Sequence, residues 1–173
     1  MIEFMALGMP RSGTAWLANL LTTDTTLCEH DPMWRVHYSD LDSIFSDKHL
    51  GVSCTGLALF PEWVNAHPAR KVILHRPFEE VDASLRAMGS EPLAAPWVGA
   101  LDRIQGTHVS WKEIFDPHGA RGIYEFLLEK PFDAERHAML VGLNVQMDFE
   151  RMKPDPVAVR RLFADLAAKG RQQ

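Results

Sequence analysis

Short solid apolar runs in this chain alternate with longer stretches at helical spacing. Ile2 to Leu7 is such a run and predicts a first strand, central in a parallel sheet. Gly13 to Leu21 follows with Trp16, Leu17 and Leu20 at helical spacing and predicts the first helix. Asp40 to Ile44 and Pro61 to His67 predict two further helical pieces. Lys71 to His75 predicts a second strand, its apolar centre Val72 to Leu74 bounded by a base and, beyond His75, by Pro77. Glu79 to Met88 predicts the helix after it, with Pro77 and two acids suited to its start. Gly89 to Pro96 breaks the pattern and predicts a loop, and Pro96 to Ile104 another helix. Gly122 to Tyr124 predicts a short strand and Phe132 to Leu143 a helix. A last helix begins after Pro154 and Pro156, with Val157, Leu162, Phe163 and Leu166 on one face, and frays from Gly170 into a polar tail. Strands alternating with helices predict an α/β three-layer sandwich with a mostly parallel sheet. Ligands in such sheets bind beyond the carboxyl ends of the strands.

The first strand-to-helix junction carries the strongest chemical signal. From Met5 to Leu17 an apolar segment passes through a glycine-bounded loop into a helix start, where backbone N–H groups converge on an anion. Gly8 and Gly13 have the spacing of the P-loop G-x-x-x-x-G-K-S/T. Thr14 stands where that motif has lysine, and Ala15 where it has the magnesium-binding hydroxyl. The loop therefore suits a phosphate group without magnesium-dependent γ-phosphate hydrolysis. Its cation is Arg11, inside the loop. The plain alternative is a glycine turn with no ligand.

Pro10-Arg11-Ser12-Gly13-Thr14-x-Trp16 resembles the 5′-phosphosulfate-binding loop of the PAPS-dependent sulfotransferases, P-K/R-S-G-T-T-W, in a small bacterial or phage-like form. The departure inside the motif is Ala15, where a second Thr is usual. Lys71 to Leu85 is similar to the family's 3′-phosphate site: a strand, Arg-Pro, then Ser eight residues after the Arg, here Arg76 and Ser84. On its own residues, Arg76 has the alternative of pairing with Glu79 or Glu80. Ile123 to Leu128 resembles a late family strand ending in Y-E-x-L, and the likeness runs on through Pro131 to Gly142 and Leu143. No G-x-x-G-x-x-K segment follows, and the chain is short for the family.

The resemblance implies a P-loop NTPase-like fold, and PAPS as sulfuryl donor, released as PAP. It implies a hydroxyl or amine acceptor on a small molecule or glycan. Pro10 to Trp16, Arg76 and Ser84 would hold the donor, with Arg11 at the bridging oxygen and Trp16 either stacked on adenine or a core aromatic of the first helix. Thr14 and the amides of Ser12 and Gly13 would hold the 5′-phosphate. The base is expected in Glu29 or His30, within the segment Glu29-His30-Asp31-Pro32 that follows the first helix by a loop, the plain alternative being a solvated polar loop. Imidazole titrates near neutrality, so His30 suits the task; a carboxyl such as that of Glu29 serves only when burial raises its pKa. His37 and His75 are fallbacks.

Composition narrows these readings. The 173 residues fit one domain spanning 1–173, with 46% apolar and 24% charged residues. A net charge of −5 and a pI near 5.9 argue against nucleic-acid binding. No apolar run approaches the roughly 20 residues that span a bilayer, and no basic segment precedes the first apolar run, so the expected location is cytoplasmic. The eight histidines show no H-x-x-x-H or H-E-x-x-H pairing, so no metal site is expected, and there is no G-x-S-x-G elbow. Cys28 and Cys54 lack C-x-x-C spacing and read as reduced thiols, a single disulfide staying open. Trp34, Trp63, Trp97 and Trp111 are candidates to line an acceptor cleft, with core packing expected for most of them, and Pro32 to Gly51 and Gly89 to Gly106 are the expected specificity loops. Two other functions stand beside sulfuryl transfer: an atypical nucleotide kinase, and a P-loop nucleotide-binding module without turnover. The acceptor and the oligomeric state stay open.

Overall fold

The computed structural model describes residues 1–44, 46–93, 95–143, 145 and 154–170. Five parallel strands form one sheet in the order β2 (Thr26–His30), β3 (His49–Cys54), β1 (Phe4–Gly8), β4 (Arg70–His75), β5 (Thr107–Ser110). β1 is central and buried at every residue, as expected of a strand covered on both faces. Its Phe4 lies opposite Gly51 of β3, and a Cβ on Gly51 would sit 2.1 Å from the Phe4 ring. Glycine there makes room for a core aromatic.

Alternation along the strands sends side chains to two cores. Phe4, Ala6, Val72 and Leu74 pack under α1 (Thr14–Leu21), α4 (Pro117–Leu128) and α5 (Ala134–Val141). Met5, Leu7, Val52 and Ile73 pack under α2 (Pro61–Ala66), α3 (Phe78–Ala87) and the inner side of α6 (Pro156–Gly170). Helices on both faces of a parallel sheet give the expected α/β, three-layer arrangement.

Several elements depart from the sequence reading. β2, β3 and β5 were not anticipated, and Glu29 and His30 lie on β2 rather than in a loop. Gly122 to Tyr124 is helical, in α4, not a strand. Asp116 caps that helix, accepting from the N–H groups of His118 and Gly119 at 3.1 and 2.8 Å, and Pro117 occupies its first turn. Ala120, Ile123, Tyr124, Leu127 and Leu128 then bury one face. In place of a helix from Pro96 to Ile104 there are two 3₁₀ turns, Ala95–Trp97 and Leu101–Arg103, and Asp40 to Ile44 falls mainly in a 3₁₀ turn, Tyr38–Ser43.

The face expected for the last helix is also different: Ala158, Leu162 and Leu166 turn inward, whereas Val157 and Phe163 are exposed. Polar ties set that rotation. Tyr38 donates to Asp165 at 2.7 Å, Arg161 pairs with Asp40 at 2.5 Å and Lys169 with Glu62 at 2.7 Å. Residues 171–173 of the expected tail lie outside the described residues. Among the described residues, no helix is long and apolar enough to cross a membrane.

Candidate functional site

β1 ends at Gly8, and the chain turns through Met9 to Gly13 into α1. The turn closes with Ser12 N–H donating to Met9 C=O at 3.2 Å. Arg11 (φ 67°) and Gly13 (φ 86°) both adopt left-handed backbone. That conformation costs a non-glycine residue on the order of 1–2 kcal/mol, so Arg11 must be held from outside. Two partners do so. Arg76, just past β4, donates from Nη1 to the Arg11 carbonyl, and Arg11 Nε donates to Ser84 Oγ on α3 at 3.1 Å. Gly13 is fixed by space as well: a Cβ there would stand 2.4 Å from Ile114 Cδ1.

A cleft of about 700 Å³ opens at this loop. Its floor comes from the carboxyl ends of four strands: Pro10, Arg11 and Gly13 to Trp16 after β1, His30 and Asp31 at the end of β2, Thr55 after β3 and Arg76 after β4. Its outer walls are apolar, with Trp34, Leu85, Met88, Trp111, Phe115 and Leu143. Of the four tryptophans proposed for an acceptor cleft, Trp34 and Trp111 are here; Trp63 packs against Tyr38 and His67, and Trp97 against the core beneath α2 and α3.

Two guanidiniums meet at the cleft. Burial, and then the positive charge of Arg76, pull the Arg11 guanidinium below its ordinary pKa. Arg76 lies over the Trp111 ring at 4.2 Å, and its Nε is 3.4 Å from Glu80 Oε2 without hydrogen-bond alignment. Four buried side-chain polar atoms among the described residues lack a hydrogen bond: Ser12 Oγ, Arg76 Nε, Trp111 Nε1 and His37 Nε2. Arg76 and Trp111 line the cleft and their open atoms are hydrogen-bond donors, whereas Ser12, expected in the site, is fully buried and is not among the lining residues.

A second cluster faces them. Thr14 Oγ1 and Asp31 Oδ2 each lie 3.3 Å from His30 Nε2. Asp31 is buried, with left-handed backbone (φ 43°), and its Oδ1 accepts from Thr55 N–H at 2.6 Å and Thr55 Oγ1–H at 3.0 Å. Ser53 ties the parts together: its carbonyl accepts from Asp31 N–H at 3.0 Å, and its hydroxyl donates to the Thr14 carbonyl at 2.8 Å.

The expected site residues divide accordingly. Pro10, Arg11, Gly13, Thr14, Ala15, Trp16, His30 and Arg76 line the cleft. Trp16 is only 3% exposed, and its indole N–H donates to Leu140 C=O at 3.0 Å, so it is chiefly a core residue with an edge at the cleft. Ser84 meets Arg11 rather than the cleft. Glu29 alternates to the other side of β2 and pairs with Arg35 at 2.7 Å, apart from His30. His37 is on the α6 side of the sheet, 3.2 Å from Asp165. His75 pairs with His108 at 2.6 Å and is pushed below its ordinary pKa by burial, then by His108. Cys28 and Cys54 are buried and unbridged; burial raises both thiols, Cys54 with help from Asp31.

Sequence reasoning missed Asp31, Ser53, Thr55 and the Arg76 to Trp111 contact. Asp31 offered the only local signal, a carboxylate between a histidine and a proline. No family model, curated protein or solved structure matches the chain.

Proposed function

We propose that this chain is a PAPS-dependent sulfotransferase, moving a sulfuryl group to a hydroxyl or amine of a small-molecule or glycan acceptor. The observation that carries the reading is the pair Arg11 and Arg76 at one cleft at the strand ends, with buried donors lacking a hydrogen bond on the lining residues Arg76 and Trp111. The Arg11 guanidinium, held below its ordinary value by burial and then by the charge of Arg76, is relieved by an anion, and a phosphosulfate supplies several acceptor oxygens. Thr14 and Ala15, in place of the P-loop lysine and hydroxyl, favour this donor over a magnesium nucleoside triphosphate.

In the proposed reaction the acceptor oxygen or nitrogen attacks sulfur in line, and the bond from sulfur to the bridging oxygen breaks. PAP leaves with the electron pair of that bond. Arg11 offsets the charge that grows on the bridging oxygen. Thr14 and the amides of Ser12 and Gly13 hold the 5′-phosphate, at the start of α1. His30, not Glu29, takes the acceptor's proton, because His30 lines the cleft and Glu29 is paired with Arg35.

Calorimetric titration of the wild-type chain with PAP, and separately with ATP and magnesium, tests the reading. Micromolar PAP binding with weaker ATP binding is expected. Preference for magnesium ATP would favour a kinase. PAP binding without turnover of PAPS across phenol, alcohol, amine and sugar acceptors would favour a binding module.

A further inference from the structure

Among the described residues Asp31 is the one buried carboxylate in the cleft, and the proposed reaction does not use it. It is anchored at both ends, by Thr55 on Oδ1 and by its own N–H on Ser53. Its remaining oxygen, Oδ2, lies 3.3 Å from His30 Nε2 as a charge contact without hydrogen-bond alignment, the aligned partner of that nitrogen being Thr14 Oγ1. A carboxylate only accepts hydrogen bonds, so a lone pair on that nitrogen would oppose the carboxylate's own lone pairs, whereas a proton would be attracted. The Thr14 hydroxyl could serve either tautomer, and the carboxylate charge beside Nε2 favours Nε2–H. Thr14 Oγ1, also 3.3 Å from Nε2, is then an acceptor toward His30, which leaves its hydroxyl hydrogen for a group in the cleft.

We infer that Asp31 is a positioning residue: it fixes His30 as the Nε2–H tautomer, turns the Thr14 hydroxyl into a donor toward a bound anion, and leaves Nδ1 as the basic nitrogen of His30. The tautomer and the Thr14 orientation stand on the contacts alone; the basic role of Nδ1 rests on the sulfotransferase reading. In that step the acceptor O–H proton passes to Nδ1 as the new O–S bond forms, and the electron pair of the broken S–O bond stays on PAP. His30 becomes an imidazolium beside the Asp31 carboxylate, which compensates its charge. The arrangement parallels the orienting carboxylate of a hydrolytic triad, but here carboxylate and hydroxyl converge on the same ring nitrogen.

Long-range proton–nitrogen correlation spectra of the ¹⁵N-labelled full chain, recorded where imidazoles are neutral, read the tautomer directly. The wild type is expected to show His30 as Nε2–H. Asp31→Asn, whose amide can donate toward the ring, is expected to shift it to Nδ1–H, and Thr55→Val, which keeps the carboxylate, is expected to leave it unchanged. An Nδ1–H wild type overturns the inference even if Asp31→Asn does not fold, and so does a folded Asp31→Asn chain with the wild-type tautomer.

PAP affinity supplies the second arm. His30→Gln keeps an N–H near the position of Nε2 and is expected to bind PAP within threefold of wild type, while His30→Leu loses at least tenfold; equal losses contradict the role given to Thr14. A wild type that shows the Nε2–H tautomer but binds no PAP supports the Asp31 assignment and removes the sulfotransferase reading.

Discussion

Arg11 and Arg76 border the same cleft and are held by different means. Arg11 sits on strained backbone inside the loop, and its side chain donates to Ser84. Arg76 sits on ordinary backbone after a buried strand, gives one donor to the Arg11 carbonyl, lies over Trp111 and has its Nε in a charge contact with Glu80 without a hydrogen bond. The motif that resembles a separate 3′-phosphate site therefore does mechanical work on the first motif: both its polar residues, Arg76 and Ser84, bond to Arg11. One loop is shaped by its own glycine; the other element braces it and supplies the second charge.

Removing the charge at the loop should have the largest effect. Arg11→Ala is expected to lower PAPS turnover about 10²–10³-fold, the size typical of losing one group that stabilises developing charge, with a smaller loss of PAP affinity. Steady-state kinetics beside calorimetry separate the two, and equal losses would make Arg11 a ground-state ligand only. Next in size is the loop's shape. Gly13→Ala meets both a left-handed φ and Ile114 Cδ1, and should cost about 2–3 kcal/mol in denaturant unfolding. A neutral outcome would mean that the loop reshapes freely.

Ser84→Ala should be milder, weakening PAP binding a few-fold, in line with about 1 kcal/mol for one lost hydrogen bond. If Ser84 acts through Arg11, the double variant with Arg11→Ala binds no worse than Arg11→Ala alone; additive losses would make Ser84 an independent phosphate ligand. The smallest effect lies beside Arg76. His75 is held below its ordinary value of 6.5 by burial and by His108, against a smaller opposing pull from Asp102. The folded chain thus resists a proton that the unfolded chain accepts. Stability from this group is present above pH 6.5 and is lost as pH falls below it. The thermal midpoint of His75→Gln should fall less across that window than that of the wild type.

Legibility in the sequence followed burial and contrast. β1 was read because it is a nearly unbroken apolar run, β4 because Val72 to Leu74 are three consecutive apolar residues before a proline, and the helices after them because Gly13 and Pro77 mark their starts. β2, β3 and β5 carry Thr, Glu, His, Gly and Ser among few apolar residues, so pairing in the sheet, rather than local pattern, makes them strands. α4 was misread because Gly119 and Gly122 lower its helix propensity and Ile123-Tyr124 suits a strand, although its apolar spacing is helical. In the site, Arg11, Thr14, His30 and Arg76 were named from motifs, since a loop between strand and helix is local in sequence. The bond from Arg76 to the Arg11 carbonyl, the reach of Asp31 to Thr55 and the separation of Glu29 from His30 are products of strand order and side-chain alternation.

PAP binding to the wild type and to Arg76→Ala, measured side by side by calorimetry, tests the central claim most directly. The account predicts micromolar binding to the wild type and a loss of about ten- to hundredfold in the variant, since hydrogen bonds to charged groups contribute about 1.5–3 kcal/mol. A wild type that does not bind PAP, or a variant that binds it equally well, would contradict the account.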